Sequence, residues 1–275
     1  TCLKTGASSY GVKTCDCRKH GIFRCKCLRN FSDPLANVGW DSHEKHWYYG
    51  YTAFFMTTYS QKYKKDLPLT VRLVDAKRHD SLTAMLALVD LRETTPEISV
   101  ETFLGDSAMD CGAMYSLLDH FHIQAVIDLN HRAKDTSLGD IQMINHHPVC
   151  PAGLNMTYWG QWKRNMLTRI KYRCPAKTKK GVTCPLSTPC SPSDYGRTFY
   201  VHPTDDLRLF PAIPRHSKKW QEIYKQRSAS ERINKQVLID HGIEQMSVRS
   251  KRRNFFYIVM SCIDIHLKAQ LSIQA

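Results

Sequence analysis

The sequence predicts a mixed α/β fold of layered sheets and helices, and three observations carry that prediction. Segments with a two-residue apolar period alternate with segments of 3.6-residue period, in the order strand, strand, helix, strand, helix, strand. The 275 residues, 42% hydrophobic and 23% charged, suffice to bury a sizeable core as one large domain with insertions. Eight of the eleven cysteines fall into two groups of four, in stretches at 10–30 and 135–200 that read as insertions in the layered pattern.

Each element has its own justification. Trp47–Tyr59 is aromatic and β-branched and reads as a buried strand, with Leu67–Asp75 as its partner. Ser81–Arg92 has helical periodicity, and Ser81 is the expected cap. Ile98–Leu104 reads as a strand running into Gly105-Asp106-Ser107, Met109–Phe121 as a helix, and Ile123–Leu129 as a short buried strand ending at Asn130. From 135 to 200 the pattern dissolves into short polar runs, prolines and basic clusters. Trp220–His241 is rich in helix formers and free of Gly and Pro until Gly242, where a helix is expected to stop. Within it Tyr224, Arg227 and Glu231 fall three and then four residues apart. That spacing places a phenol, a guanidinium and a carboxylate in one row, with Ile223, Ile233 and Val237 as apolar packing beside it. The basic run Arg249-Ser250-Lys251-Arg252-Arg253 leads into an apolar helix from about Asn254 to Gln270.

The first cysteine group, Cys15, Cys17, Cys25 and Cys27, has the pattern C-x-C-x7-C-x-C around the segment RKHGIFR, whose Gly21 suits a hairpin tip. Residues two apart on a strand share a face, so folding such a hairpin would gather four sulfurs in the tetrahedral arrangement that zinc prefers. Reduced, unligated thiols are the competing reading. The second group, Cys150, Cys174, Cys184 and Cys190, is more loosely spaced and gives a weaker expectation of zinc. Cys2, Cys111 and Cys262 read as ordinary core or surface thiols. His146, His147, His120 and His122 read as surface or core histidines rather than ligands.

The net charge of +14 is unevenly placed: residues 1–159 hold 17 Lys/Arg and 17 Asp/Glu, residues 160–275 hold 22 and 8. A neutral half joined to a basic half points to a polyanionic partner, of which nucleic acid is the commonest. No amphipathic segment or lipidation motif accompanies the charge, and Phe255–Cys262, the longest apolar stretch, is too short to span a bilayer. A cytosolic compartment is expected, which argues against disulfides. Thr1 is not Met, so the sequence is expected to be a fragment or a processed product.

Asp106, at the end of a core strand and followed by small residues, is by itself a turn former or helix cap. Together with Glu231 it could hold divalent cations against a phosphodiester, since hard cations take oxygen ligands. At these residues the chain resembles the DDE-type transposases of bacterial insertion sequences, in the branch with the Y-x2-R-x3-E signature. Tyr224-x2-Arg227-x3-Glu231 matches the segment around the family's catalytic Glu, and Gly105-Asp106-Ser107-Ala108 matches its second catalytic Asp. Supporting blocks are Gly39–Ser42, Gly50-Tyr51, Arg78–Ser81, Ile127–Asn130 and the closing basic run with Ile263–Gln270.

The resemblance implies an RNase H-like mixed sheet flanked by helices, with the cysteine-rich stretches as insertions. It implies magnesium or manganese held by Asp106 and Glu231, and double-stranded DNA, at transposon ends and target, as partner. Arg227 and Tyr224 would steady phosphate or the Glu. Arg249, Lys251, Arg252 and Arg253 would contact the DNA backbone. A homodimer and a bacterial, nucleoid-associated location are part of the same expectation. The family's Lys seven residues after the Glu is Leu238 here, with Lys235 one turn nearer. The family's first Asp is expected just before residue 1, and Asp41 is a poor internal stand-in. The competing readings are an RNase H-like nuclease without strand transfer and a non-catalytic, zinc-stabilised DNA-binding remnant.

Overall fold

The computed structural model describes residues 2–41, 44–130, 137–138, 141–144, 147–164, 167–202 and 206–274. They form two compact units, residues 1–98 with 227–275 and residues 99–226.

The first unit is organised by one long strand. β1 (Cys2–Lys4) leads into a two-residue ladder of β2 (Val12–Lys13) and β3 (Arg29–Asn30), which closes the loop carrying the first four cysteines. β4 (Asn37–Asp41), β5 (His46–Ser60) and β6 (Lys65–Asp75) follow, all antiparallel to their neighbours. β5 pairs with β1 on one edge and with β4 and then β6 on the other. It is buried on both faces. Tyr51, Ala53 and Phe55 join one core, while Tyr48, Thr52 and Met56 are buried on the other side, which is why β5 reads as a nearly unbroken apolar run. α1 (Asp80–Thr94) packs on β5 and β6 through Ala84, Ala87, Leu88 and Leu91.

The expected cap of α1 was displaced by two residues. Ser81 lies inside the helix, and His79 is the N-cap, its Nδ1 accepting the Ser81 N–H at 3.4 Å. An imidazole nitrogen can serve here because, like a Ser oxygen, it offers a lone pair to an orphan donor.

In the second unit β7 (Thr102–Gly105) is shorter than the strand expected over 98–104, because Thr95–Ile98 forms a turn. A 3₁₀ turn at Ser107–Met109 separates it from α2 (Gly112–His120), so the helix expected from Met109 begins three residues later. β8 (Gln124–Ile127) runs parallel to β7, in register from Thr102↔Gln124 to Gly105↔Ile127. The stretch in which the sequence pattern dissolves is regular in part. β9 (Ser137–Leu138), β10 (Ile141–Ile144) and β11 (His147–Val149) form one antiparallel sheet. β12 (Thr157–Arg164), β13 (Leu167–Arg173) and β14 (Thr198–Val201) form another. The outward positions of β12–β14 carry Trp, Tyr, Arg and Lys, which hides their two-residue period from a hydrophobicity reading. α3 (Lys218–Tyr224) packs on β8, and Trp220 and Ile223 share a small core with Val126 and Ile213.

The helix expected over 220–241 is a run of four segments of three helical types: α3, a 3₁₀ turn at Lys225–Arg227, α4 (Ser228–Lys235) and a π-helical turn at Gln236–Asp240. Gly242, in the left-handed region with φ 67°, ends it as expected. The division between the two units falls inside this run. Ile233 and Val237 are fully buried in the core of the first unit, with Leu3, Tyr51 and Phe55. α5 (Lys251–Gln274) lays Asn254, Ile258, Ser261, Ile265 and Ala269 inward and contacts β6. It is longer than expected, and by length and composition alone it is sufficient to cross a membrane. One of its faces is instead engaged within the first unit, where His266 Nε2 lies 2.7 Å from the Pro68 carbonyl.

Candidate active site and cysteine cluster

Asp106 stands at the C-terminal end of β7, where functional groups gather in open α/β sheets. Its Oδ1 accepts the Ala108 N–H at 3.0 Å, so it caps the 3₁₀ turn, and the side chain is exposed. Gly105 makes this placement possible. A Cβ there would lie 2.9 Å from the side chain of Met109, which is buried beneath the strand end.

Four residues on, Asp110 is enclosed. Its carboxylate accepts from Arg208 Nε at 2.9 Å and Nη2 at 2.7 Å, from the Tyr115 hydroxyl at 3.0 Å and from the Asn130 N–H at 2.9 Å. Burial opposes the charge of Arg208, but the Asp110 carboxylate wins and holds its pKa above the ordinary value. Arg215, also buried, donates to the Ile127 carbonyl, the Arg208 carbonyl and the Tyr115 hydroxyl. Burial lowers its pKa and raises that of Tyr115. Sequence reading missed this network because Arg208 lies 98 residues from Asp110, and no local spacing announces a buried ion pair.

The row Tyr224–Arg227–Glu231 is differently engaged than its spacing implies. Arg227 Nη2 and Glu231 Oε1 are 2.7 Å apart within the first unit, on a half-exposed face. Tyr224 instead stacks face to face on Trp220, with ring centroids 4.4 Å apart, beside the small core of the second unit. The intervening 3₁₀ turn changes the angular step between Tyr224 and Arg227. Lys235 pairs with Asp240 at 3.5 Å, and Leu238 packs against the core of the first unit.

Arg249, Arg252 and Arg253 are exposed at the start of α5, and Lys251 is half-buried. Cations there oppose the helix dipole. The local compensation is Asp33, a buried carboxylate that accepts the Ser250 N–H at 2.9 Å and the Tyr51 hydroxyl at 2.6 Å. Asp41 lies on β4 and accepts the Glu44 N–H at 3.1 Å. A groove of about 660 Å³ in the first unit runs along β6, α1 and the start of α5. Leu35, Leu82, Leu86 and Phe255 line it with Lys251 and Arg252, and neither Asp106 nor Glu231 belongs to it.

The outer face of the β12–β13–β14 sheet is aromatic and basic. Arg169 lies 3.9 Å from the Tyr200 ring centroid, and Arg173 lies between Trp159 at 4.2 Å and Tyr195 at 4.1 Å. On the inner side, His147 and His216 pack as a tilted pair, ring centroids 4.7 Å apart, with His216 against Tyr158 and Tyr172. His120 packs on Phe121, and His146 lies outside the described residues.

The first four cysteines converge. The sulfurs of Cys15, Cys17, Cys25 and Cys27 all lie within 4.8 Å of one another, with Cys15–Cys25 at 3.5 Å and Cys17–Cys27 at 3.6 Å. Tetrahedral zinc with Zn–S of about 2.3 Å sets sulfurs roughly 3.8 Å apart, so the donor set fits. The route differs from the expected hairpin. Cys17 sits in a 3₁₀ turn at Asp16–Arg18, Cys25 and Cys27 are in irregular chain, and only β2 and β3 pair. Gly21 has φ 75° at the tip. Donation from the Cys27 backbone and then from Lys13 pulls the Cys25 thiol down to about 6. Hydrogen bonding to Cys27, then to Cys15 and Cys25, pushes Cys17 up to about 12. In the second group Cys150 and Cys174 are buried and Cys184 and Cys190 are half-buried. Burial first, then the neighbouring thiols Cys150, Cys174 and Cys184, raise the pKa of Cys190.

Residues 18–264 match the family model described as the transposase DDE domain. The chain belongs to that family. No curated protein sequence matches this transposase chain. Membership spans both units and includes Asp106, the Arg227–Glu231 pair and two of the four clustered cysteines, Cys25 and Cys27, with Cys15 and Cys17 just outside the matched span.

Proposed function

We propose that this chain is the catalytic core of a DDE transposase that cuts DNA at transposon ends and joins the freed 3′ hydroxyl to target DNA. The observation that carries the reading is a half-exposed carboxylate, Glu231, held one helical turn from Arg227 in a chain of this family. Asp106, an exposed strand-end carboxylate, supports it. Asp106 and Glu231 would hold magnesium or manganese, and the bound cation supplies Lewis-acid stabilisation of the phosphodiester oxygens. Arg227 orients Glu231 through their ion pair. Tyr224 acts by anchoring α3 through its stack on Trp220. Neither Asp33, engaged by Tyr51 and Ser250, nor Asp41, on β4, suits the family's first carboxylate.

Arg249, Lys251, Arg252 and Arg253 bind the backbone of double-stranded DNA, and Lys235 adds to that surface. The mixed α/β architecture is read as an RNase H-like fold, a sheet flanked by helices. Residues 1–275 act as one catalytic domain with cysteine-bearing insertions at 10–30 and 135–200. Zinc at Cys15, Cys17, Cys25 and Cys27 has a structural role, and a second zinc at Cys150, Cys174, Cys184 and Cys190 is the weaker part of the reading. The enzyme works as a homodimer on DNA in the bacterial cytoplasm, at the nucleoid.

The test is 3′-end nicking of linear and supercoiled DNA with magnesium or manganese, using this chain and the same chain extended upstream. Nicking and joining by the extended chain, abolished by Glu231→Gln, is the expected result. Nicking without joining would assign a nuclease. Salt-sensitive DNA binding with no nicking by any form would assign a non-catalytic binding protein.

A further inference from the structure

We propose that Asp110 is the positioning residue for Asp106, and that Arg208 and Arg215, from the segment that follows the cysteine-bearing insertion, are the clamps through which it acts. The inference rests on the reading of Asp106 as a cation ligand. It begins with the shortness of the segment involved. Asp106 caps a single 3₁₀ turn, and the residue after that turn is Asp110. The turn is fixed at both ends: the Asp106 Oδ1–Ala108 bond holds its start, and Met109, buried below Gly105, holds its end. Asp110 then ties the turn to everything around it. Its carboxylate, with no exposed surface, takes four hydrogen bonds, two of them from the fork of Arg208.

The clamp extends to the neighbouring strand. Ile127 is the register partner of Gly105, and Arg215 Nε donates to its carbonyl at 2.9 Å. The Tyr115 hydroxyl links the two guanidiniums' territories, accepting from Arg215 at 2.8 Å and donating to Asp110 at 3.0 Å. Arg208 is itself held in a turn whose N–H groups at Arg208 and Leu209 point to Asp206 Oδ1. Both strand ends next to Asp106 are therefore gripped by side chains of one segment, Asp206–Arg215. A cation ligand must stay within a few tenths of an ångström of its productive position, and the surrounding hydrogen bonds are what hold it there.

The experiment is Mn²⁺ binding followed by the loss of the free-ion EPR signal, with thermal unfolding measured on the same samples. It compares the full chain with Asp106→Asn, Tyr115→Phe, Arg208→Lys and Asp110→Asn. Asp110→Asn breaks a buried ion pair and is expected to unfold readily, so Tyr115→Phe and Arg208→Lys carry the test. The expected result is that Asp106→Asn abolishes a Mn²⁺ site, while Tyr115→Phe and Arg208→Lys weaken it about three- to tenfold in samples still folded at the assay temperature. A fall in melting temperature with unchanged Mn²⁺ affinity in both variants would overturn the positioning role and leave the reading of Asp106 intact. Unchanged binding in Asp106→Asn would overturn both.

Discussion

Gly50 shows how tightly single residues constrain this chain. It lies in β5 between Lys4 of β1 and Asn37 of β4, and a Cβ there would meet the Leu3 carbonyl oxygen at 1.8 Å. Gly50→Ala is expected to abolish soluble expression of the chain, because the clash is with backbone that cannot rotate away. Gly105→Ala meets the Cβ and Cγ of buried Met109, each 2.9 Å away, and is expected to cost about 1–3 kcal/mol, read as a lower urea midpoint; an unchanged midpoint would show that Met109 has room to move. His216 gives a pH signature. Burial first, then the adjacent His147, hold its pKa down to about 4, against about 6.5 unfolded. Between those values the unfolded chain binds more protons, so stability is lost as the pH falls from about 6.5 to 4. Discounted for partial exposure, the loss is about 1–2 kcal/mol. The drop in urea midpoint from pH 7.5 to 4.5 should be smaller in His216→Phe, and an equal drop in both proteins would remove His216 as its source. At this scale Asp106 and Glu231 were legible, because a strand-end Asp and an i,i+4 Arg–Glu pair are local patterns. Asp110 with Arg208, and Asp33 with Ser250, were not, since each depends on a contact across about 100 or more residues.

Elements were legible where hydrophobicity alone sets the period. β5, β6, α1 and α5 have apolar faces and came within a few residues of their ends. β12–β14 were hidden because their outer positions carry Trp, Tyr, Arg and Lys, which score as neither core nor loop. The segment 218–240 was legible as helical, but its 3₁₀ and π turns were not, and they decide which face Tyr224 takes. The cysteine loop is an element held by thiols rather than by a ladder. Apart from the two residue pairs of β2 and β3, its described links include turn hydrogen bonds, an exposed Asp16–Lys19 ion pair, one bond from Lys13 to the Phe23 carbonyl and the sulfur cluster. Chelation is therefore expected to release one tightly held zinc and to raise hydrogen exchange over residues 12–30, while β5 and α1 keep their protection. Cys25→Ser should do the same without chelator, and protein purified without zinc but with an identical exchange pattern would count against a metal there.

Charge is a property of the whole molecule that no single element displays. Residues 1–98 with 227–275 hold 23 Lys/Arg and 14 Asp/Glu, and residues 99–226 hold 16 and 11, so each unit is basic, the first more so. Much of this charge is not neutralised locally: among the described residues Arg169 and Arg173 face aromatic rings, and three arginines and a lysine crowd the positive end of a helix. Such an arrangement is costly without a polyanion and favourable with one, because each phosphate contact releases a condensed counterion. Replacing Arg249, Lys251, Arg252 and Arg253 together by Gln is therefore expected to weaken binding to any duplex sequence alike. The slope of log K against log salt should become shallower by about 2–4, since each neutralised phosphate contributes about 0.9. Fluorescence anisotropy with two unrelated duplexes across 50–300 mM salt measures both quantities. An unchanged slope would place the DNA backbone elsewhere, and the aromatic–basic face of β12–β14 is where the same substitutions to Gln, at Arg169 and Lys171, should then be made.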